Sequence, residues 1–335
     1  MAILDDIGAA LYEYVPGKIY EHTYKRNSAL KFLIGDNKEL MPHGNDFGFI
    51  CQLGEVPTVE YLSGDGTDTF SNNTSNTLLR ATLPYKNMVA NTVLTLEDFV
   101  KFGGDKTQIV SLAQAKAAQT VNSQVVKLSR DLYLSGTGAN AKRFNGLEDI
   151  FAGNGVAYAG ITPVAGTNTE DWLATTDNAV NTINFAELQK MIANVRDNAG
   201  FYANGEETGT ALITPDMILS NGNVQSQFAS TQQGQQVYND EANLNAGFGT
   251  IFVNRIPWYT DSYCPGDAGV ANNHCYILSK NSIRFGYVYG FDRPSPLSGS
   301  NVMPNQPVQN NVNFMSGNYF CVKRNANARF TAINA

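Results

Sequence analysis

Three histidines and four cysteines are the side chains that could act as nucleophiles, bases or metal ligands near neutral pH. They are His22, His43 and His274, and Cys51, Cys264, Cys275 and Cys321. No two cysteines have the short spacing that closes a zinc site, so we predict free and mostly buried thiols. His274 and Cys275 are adjacent, but neighbours on an extended strand point to opposite faces, which excludes a paired base and nucleophile there.

The sequence patterns of common catalytic and cofactor sites are also absent. The pieces Gly153-Asn154-Gly155 and Gly247-Phe248-Gly249 lack the third glycine of a dinucleotide-binding turn, and no glycine-rich run ends in Gly-Lys-Ser/Thr. Adjacent acids such as Glu148 and Asp149 are explained by solvated charge beside loops. We therefore predict no catalytic residues, no cofactor and no metal, and a protein that is not an enzyme.

Length, composition and charge narrow the function further. The 335 residues are enough for two compact lobes, or for one lobe with large excursions. With 43% hydrophobic and 16% charged residues and no long apolar run, we expect a folded, soluble protein without a membrane helix. The 23 basic and 30 acidic side chains give a net charge of −7, which argues against tight binding of nucleic acid. The acids Asp5 and Asp6 stand where an export signal carries bases, so assembly in a cytoplasm is expected.

The first third of the chain reads as an arm followed by extended chain. Residues 1–45 mix apolar and charged residues without a lasting period. From 46 to 95, alternating β-formers flank a glycine-rich turn, which predicts a long two-stranded hairpin. The residues that carry this pattern are Val59, Tyr61, Gly64, Asp65, Gly66, Leu79, Ala81 and Leu83. A lone hairpin is not stable in water, so either its own domain or a neighbouring subunit must cover it, and composition slightly favours the first.

A long amphipathic helix is predicted over 105–135. Asp105 can cap its start, and Gly136 can adopt the left-handed conformation after its end. The apolar stripe consists of Val110, Ala117, Val121, Val125, Leu128 and Leu132. Such a helix would be about 45 Å long and could serve as a spine for other elements. A glycine-punctuated turn and a short apolar plug follow it, up to residue 150.

The second half predicts an α/β lobe. Asn184 and Glu187 form a capping box for a helix that ends before Gly200. Thr210–Ile213 reads as a strand, and Thr214-Pro215-Asp216 then predicts the start of another helix. A polar loop over 221–247 and strands at 250–256, 274–279 and 283–291 follow. The last of these carries an aromatic face that could stack bases or sugars, although a packed sheet face is favoured. Tyr319–Lys323 and Ala328–Ile333 predict a closing hairpin.

Three local motifs in this order of elements resemble the major capsid proteins of tailed bacteriophages, which have the Hong Kong 97-like fold. They are Asp131–Gly136 leading to Asn145-Gly146-Leu147, the step Ile213-Thr214-Pro215-Asp216-Met217, and Gly317–Arg324 near the end of the chain. The resemblance covers nearly the whole chain. It implies an α+β capsid fold, and a protein that self-assembles into the icosahedral head shell around a double-stranded DNA genome.

The resemblance also implies a division of the chain. It assigns 1–45 to an N-terminal arm, 46–95 to an extended β-hairpin loop, 96–179 to a peripheral domain with spine helix 105–135, 180–300 to an α/β axial domain, and 301–335 to return strands. The extended loop would lie on an adjacent subunit. The inter-subunit contact candidates are then the eight loop residues Val59, Tyr61, Gly64, Asp65, Gly66, Leu79, Ala81 and Leu83.

Partners follow from the same resemblance. We expect the chain to bind itself in hexamers and pentamers. Portal, scaffolding and decoration proteins are the further protein partners. Contact with packaged DNA would be weak and non-specific, and no membrane is involved. Some relatives crosslink through a loop lysine, but no lysine lies between Lys38 and Lys86, so a non-covalent shell is expected. Only about 45 residues precede the loop, which predicts a separate scaffolding protein. An encapsulin-type compartment shell and a glycan-binding surface module, suggested by 16 Tyr and 18 Phe, remain alternatives.

Overall fold

The computed structural model describes residues 28–31, 37–42, 44–52, 78–95, 97, 106–165, 169–199, 215–231, 251–266, 271–290, 295–296, 301–302 and 308–334. Within them the α-helices are α1 (Ser28–Leu30), α2 (Lys106–Asp131), α3 (Leu147–Ile150), α4 (Phe185–Ala199) and α5 (Gly222–Thr231). Single 3₁₀ turns lie at Gly138–Asn140, Glu170–Trp172 and Arg324–Ala326. The predicted strands 56–62 and 210–213 lie outside the described residues.

The described strands form two large mixed sheets and one separate pair. In chain order they are β1 (Lys38–Leu40), β2 (Asp46–Gln52), β3 (Leu78–Pro84), β4 (Lys86–Thr95), β5 (Thr175–Asp177), β6 (Met217–Ser220), β7 (Ile251–Val253), β8 (Ile256–Thr260), β9 (Ala271–Leu278), β10 (Ile283–Tyr287), β11 (Ser295–Pro296), β12 (Asn301–Val302), β13 (Val308–Cys321) and β14 (Ala328–Asn334). The first sheet has the order β1-β10-β13-β11, with β4 and β12 also paired to β13. The second has the order β5-β14-β9-β6-β8-β7, and β2 pairs only with β3.

Helix α2 confirms the predicted spine, although it is shorter at its end. The buried side chains Ala117, Val121 and Leu128 recur at helical spacing and pack in the core beside the first sheet. The helix stops at Asp131, and Gly136 does not take a left-handed conformation. A Cβ on Gly136 would instead lie 2.5 Å from the carbonyl oxygen of Phe144, so a close backbone approach requires this glycine.

A buried polar junction holds the chain that follows α2. The Asp149 carboxylate accepts hydrogen bonds from the Gly136 N–H at 2.7 Å and from the Asn145 side-chain amide at 2.9 Å. Asn145 also pairs with Asn318 of β13 through two hydrogen bonds of 2.8 Å. Lys86 donates to the Gly136 carbonyl, and burial lowers its pKa while nearby Asp149 opposes that shift. The junction therefore links the end of the spine helix to β4 and β13.

Arg324, in the turn after β13, is the most completely buried cation of the described residues and supports a testable prediction. Its Nε and Nη2 donate to the carbonyls of Ile150 and Ala152, both at 2.6 Å, and its guanidinium lies 5.1 Å from the ring centre of Tyr158. Burial lowers its pKa. We expect Arg324→Met to cost about 3 kcal/mol of unfolding free energy, because two buried carbonyls lose their donors. Urea unfolding of unassembled subunits measures the loss.

The matched control for Arg324→Met is Arg196→Met, which removes an exposed guanidinium from α4. A change of less than about 0.5 kcal/mol is expected there, since exposed substitutions away from special features cost little. Equal midpoints for the two variants would contradict the structural role of Arg324.

In the second half of the chain, the structure confirms the predicted helix before Gly200 and corrects the helix predicted after Pro215. At the start of α4 the Asn184 side chain accepts the Glu187 N–H at 2.9 Å, as the capping box predicts. Phe185, the first residue of this helix, is exposed. The segment after Pro215 does not begin a helix. β6 (Met217–Ser220) pairs between β8 and β9, and all four of its side chains are buried. Burial on both faces of the sheet favours a strand. The Asp216 carboxylate accepts the Lys280 N–H instead of capping a helix.

Two further predictions for the second half are wrong. The predicted polar loop over 221–247 contains the helix α5, where Val224 and Phe228 are buried at four-residue spacing. The predicted closing hairpin is also absent, because β13 pairs in the first sheet and β14 in the second. Asn327 fixes the crossing between them, since its side chain donates to the Lys323 carbonyl at 3.1 Å and accepts the Ser279 N–H at 2.9 Å.

The predicted excursion over 46–95 is divided between two sheets. β2 and β3 pair in register from Asp46 with Pro84 to Gln52 with Leu78. β4 does not continue this pair but runs antiparallel to β13 for ten residues. The buried side chains of β4 alternate along it and face α2, where the Thr92 and Thr120 hydroxyls lie 3.0 Å apart. β4 therefore belongs to the body of the subunit, because α2 covers its buried face and β13 pairs with it over ten residues.

Candidate assembly surface

The strand pair of β2 and β3 is fixed to its own chain by one face. The rings of Phe47 and Phe49 lie 5.5 and 4.8 Å from the ring of Phe320 in β13. The Thr82 N–H also donates to the carbonyl of Ala159 at 2.9 Å. Within the single chain, this face of the strand pair is therefore covered by the chain's own body.

The predicted contact residues of the loop divide into two groups. Val59, Tyr61, Gly64, Asp65 and Gly66 lie outside the described residues. Leu79, Ala81 and Leu83 lie on the inward face of β3, where Ala81 and Leu83 are 0% and 4% exposed within the single chain. Ala81 and Leu83 therefore have almost no surface left for a neighbouring copy.

The opposite face of the strand pair carries exposed apolar side chains that the sequence reasoning missed. Ile50 and Leu78 are 69% and 60% exposed, at the end of the pair that leads into residues 53–77. Successive side chains of a strand point to opposite faces, so Ile50 and Leu78 lie on the face away from Phe49 and Leu79. The signal was available in the sequence, because Ile50 is apolar at a position where a half-buried strand normally carries a polar residue.

Strand β4 adds a second candidate contact. Val89 and Val93 are 54% and 41% exposed on the face that points away from α2. Within the described residues, β4 pairs with β13 along one edge and with no strand along the other. A ten-residue edge with exposed valines can pair with another chain, and soluble monomers usually protect such an edge.

The described side chains that could do chemistry, His274 and the four cysteines, are arranged as structural residues, whereas His22 and His43 lie outside the described residues. All four cysteines are free and buried, as predicted. His274 Nδ1 lies 3.0 Å from the Tyr276 hydroxyl, and burial lowers the pKa of His274. Cys275 is buried in the core on the other side of β9, so it does not face His274. Among the described residues, no group of three His, Cys, Asp or Glu side chains is placed to hold a metal ion.

The buried thiols give a prediction for chemical labelling. Burial raises the pKa of Cys321 to about 12 and also raises those of Cys51, Cys264 and Cys275. The thiolate is the reactive form, so at pH 8 we expect folded subunits to show essentially no fast reaction with a disulfide reagent. The same chain in denaturant should react at all four thiols. Fast labelling of any cysteine in folded subunits would contradict this description.

The aromatic strand is a packed sheet face at its centre. Phe285 is fully buried, with its ring 6.0 Å from Phe144 and 5.1 Å from Tyr319 in edge-on contacts. Tyr289 is 76% exposed, and Phe291 lies outside the described residues. The described part of this strand therefore presents no ladder of rings for bases or sugars. No helix in the described part of the chain is long and apolar enough to span a membrane.

Known proteins resemble this chain in structure only. No family model and no curated protein matches the sequence. The cyanophage A-1(L) capsid structure covers 94% of both chains with a TM-score of 0.63 and 14% identity. The fold is that of phage capsid proteins. The holo-SrpI encapsulin complex from Synechococcus elongatus PCC 7942 shares this capsid fold, covering 90% of this chain and 86% of its own with a TM-score of 0.55 and 10% identity.

A further match agrees with the capsid fold. The structure of Mycobacterium phage Bobi covers 90% of this chain and 89% of its own, with a TM-score of 0.52 and 11% identity. Each of these matches covers 90% or more of this chain. At such low identities the likeness concerns the course of the backbone, so residue-level roles must come from the chain itself.

Proposed function

We propose that this chain is the major capsid protein of a tailed phage, with a Hong Kong 97-like fold, and that it assembles the icosahedral head around double-stranded DNA. The observation that carries the proposal is the match to a capsid over 94% of both chains. The exposed apolar face at Ile50 and Leu78 supports it, since exposed apolar surface marks a site of association. No chemistry on the described surface competes with an assembly role.

The domain division is proposed in a revised form. Residues 1–45 are the arm, and β2, β3 and the intervening residues 53–77 are the extended loop, with Val59, Tyr61, Gly64, Asp65 and Gly66 as its contacts to an adjacent copy. β4 belongs with α2 and β13 in the peripheral domain, because it pairs and packs there. Residues 180–300 supply most of the axial domain, around the second sheet. Of the closing strands, β13 returns to the peripheral domain and β14 completes the second sheet.

Expression of the chain alone, followed by sedimentation and electron cryomicroscopy, tests the proposal. Closed particles with five-fold and six-fold clusters of subunits are the expected result, if necessary after addition of a scaffolding protein. A stable monomer that forms no shell under either condition would overturn the proposal. A monomer that retains a sugar would favour the glycan-binding module instead.

An encapsulin-type compartment is the second candidate, because an encapsulin shares the fold over most of the chain. The two functions differ in the contents of native particles. A phage capsid holds a genome-length double-stranded DNA, whereas the compartment would hold a protein cargo. Nuclease-treated particles from the native source therefore decide between them by the mass ratio of DNA to protein.

The shell is expected to be non-covalent. A lysine crosslink on the extended loop needs an amine nucleophile, and the sequence between Lys38 and Lys86 has none. Lys86 itself is buried and donates to the Gly136 carbonyl, so it is not available to a neighbouring copy. Denaturing gels of mature particles should show a single monomer band. A ladder of covalent multimers would contradict the prediction.

Portal, scaffolding and decoration proteins are proposed as further partners in the virion, with assembly in the host cytoplasm. A shell of one repeated chain needs a unique vertex for DNA entry and a means to set its size. Omitting the scaffolding protein should give aberrant particles. Efficient assembly of uniform shells by the pure chain would count against a separate scaffold.

A further inference from the structure

The outer face of the spine helix α2 carries an excess of positive charge. From residue 106 to 147 the sequence has six lysines and arginines but only one acid, Asp131, although acids outnumber bases in the whole chain. Asp131 is 7% exposed, and its carboxylate lies 4.0 Å from the Lys127 amine. The surface charge of this region is therefore almost wholly basic.

The bases converge on one groove. A groove of about 670 Å³ runs along α2 and includes Lys127, Arg130 and Arg143 in its lining. A second cavity of about 350 Å³ adjoins it, and Lys127 and Arg143 line both, with Lys142 at the second. Two of these bases come from the helix and two from the loop after it, so four cations line these two neighbouring depressions, together with the mostly buried Asp131.

The helix dipole explains only part of this arrangement. Lys127 and Arg130 lie in the last turns of α2, where cations interact favourably with the C-terminal carbonyls. Lys142 and Arg143 lie beyond the helix and gain nothing from that interaction. The groove also presents Gln119, Asn122 and Ser123, neutral side chains that can donate hydrogen bonds to phosphate and sugar oxygens without reading sequence. The outer face thus fits a polyanion with repeating phosphates.

We infer that this face of α2 contacts the phosphate backbone of packaged double-stranded DNA and therefore lines the interior of the shell. The inference rests on the proposed function, because only a DNA-filled shell brings a polyanion to one side of every subunit. The net charge of −7 would repel DNA, so DNA is expected to approach the chain at a face with a local excess of bases, such as this one. Each subunit contributes one weak contact with DNA, and the contacts of many subunits add up to a larger total binding energy.

The salt dependence of DNA binding by unassembled subunits tests the inference. A fluorescent 20-base-pair duplex reports binding by anisotropy over a series of salt concentrations. Each neutralised phosphate contributes about 0.9 to the slope of log K against log salt, so Lys127→Gln with Arg130→Gln should lower the slope by about 1.8. An unchanged slope would overturn the inference.

The matched control is Lys190→Gln with Arg196→Gln, which removes the same charge from exposed positions on α4. This double variant should keep the wild-type slope. An equal loss in the control would show attraction to overall charge and would also overturn the assignment. Electron microscopy of the wild-type protein and both variants separates the two proposals. If the Lys127→Gln, Arg130→Gln variant forms closed shells and keeps the wild-type salt slope, only the DNA contact is rejected. If the wild-type protein forms no shells, the capsid function is rejected.

A second measurement tests the inward orientation. An amine reagent coupled to a polymer too large to enter closed shells should leave Lys127 and Lys142 unmodified in intact particles and modify them after disruption. Peptide mass analysis reads the result. Modification of Lys127 in intact particles would overturn the inward orientation.

Discussion

Replacing Gly146 with alanine is expected to destabilise the folded chain strongly. Gly146 caps the short helix α3 and lies against the end of α2. A Cβ there would approach the backbone oxygens of Asp131 and Leu132 to 2.6 and 2.5 Å and that of Leu134 more closely still. Backbone atoms cannot rotate away as a flexible side chain can, so the two segments must separate.

The separation would break contacts that hold the spine helix to the plug. The Leu147 N–H donates to the Leu132 carbonyl at 2.7 Å, and the buried Asn145 and Asp149 side chains flank the same turn. We expect a loss of about 3 kcal/mol or more and a melting temperature lower by at least about 6 °C. Differential scanning calorimetry of unassembled subunits measures it, and aggregation on expression is the extreme form of the same result.

Gly153→Ala is the matched control for Gly146→Ala. Nothing lies within 4 Å of a Cβ built at Gly153, and its φ is not in the left-handed region. The control should melt within about 1 °C of wild type or slightly higher, since alanine restricts the unfolded chain. A Gly146→Ala subunit as stable as this control would show that the close approach at residue 146 is not required.

Replacing Ile50 and Leu78 with aspartate is expected to stop shell assembly while leaving the subunit folded. Both side chains are mostly exposed in the single chain, so the change should alter the melting temperature of subunits by less than about 2 °C. In a shell the same face would lie in a desolvated contact, where an unpaired carboxylate costs several kcal/mol. That cost recurs at every subunit, so the shell should be lost entirely.

Sedimentation and electron microscopy measure the assembly of the aspartate variants. Val156→Asp serves as the charge-matched control, because Val156 is also 52% exposed but lies in the loop after α3, outside the strand pair. We expect closed shells from the control and only small oligomers from Ile50→Asp and Leu78→Asp. Normal shells from Ile50→Asp with Leu78→Asp combined would remove this face from the candidate assembly surface.

Much of the local structure could be predicted from periodicity. The stripe on α2 and the capping box of α4 are signals within one helix, so the local chain is sufficient to specify them. Buried thiols were predicted from spacing alone and are observed. The segment Pro215–Ser220 shows the limit, because proline and aspartate there are compatible with a helix start, and only two flanking strands make Met217–Ser220 a strand.

By itself, the sequence determined the two long helices α2 and α4, the lack of catalytic and metal-binding patterns, and the order of elements that resembles capsid proteins. Tertiary structure alone decided that β4 leaves the predicted hairpin for β13, and that β13 and β14 part into different sheets. It also decided which face of β2 and β3 remains exposed. The physical reason is that strand pairing and burial depend on partners distant in sequence, whereas helical spacing and caps are properties of a few neighbouring residues.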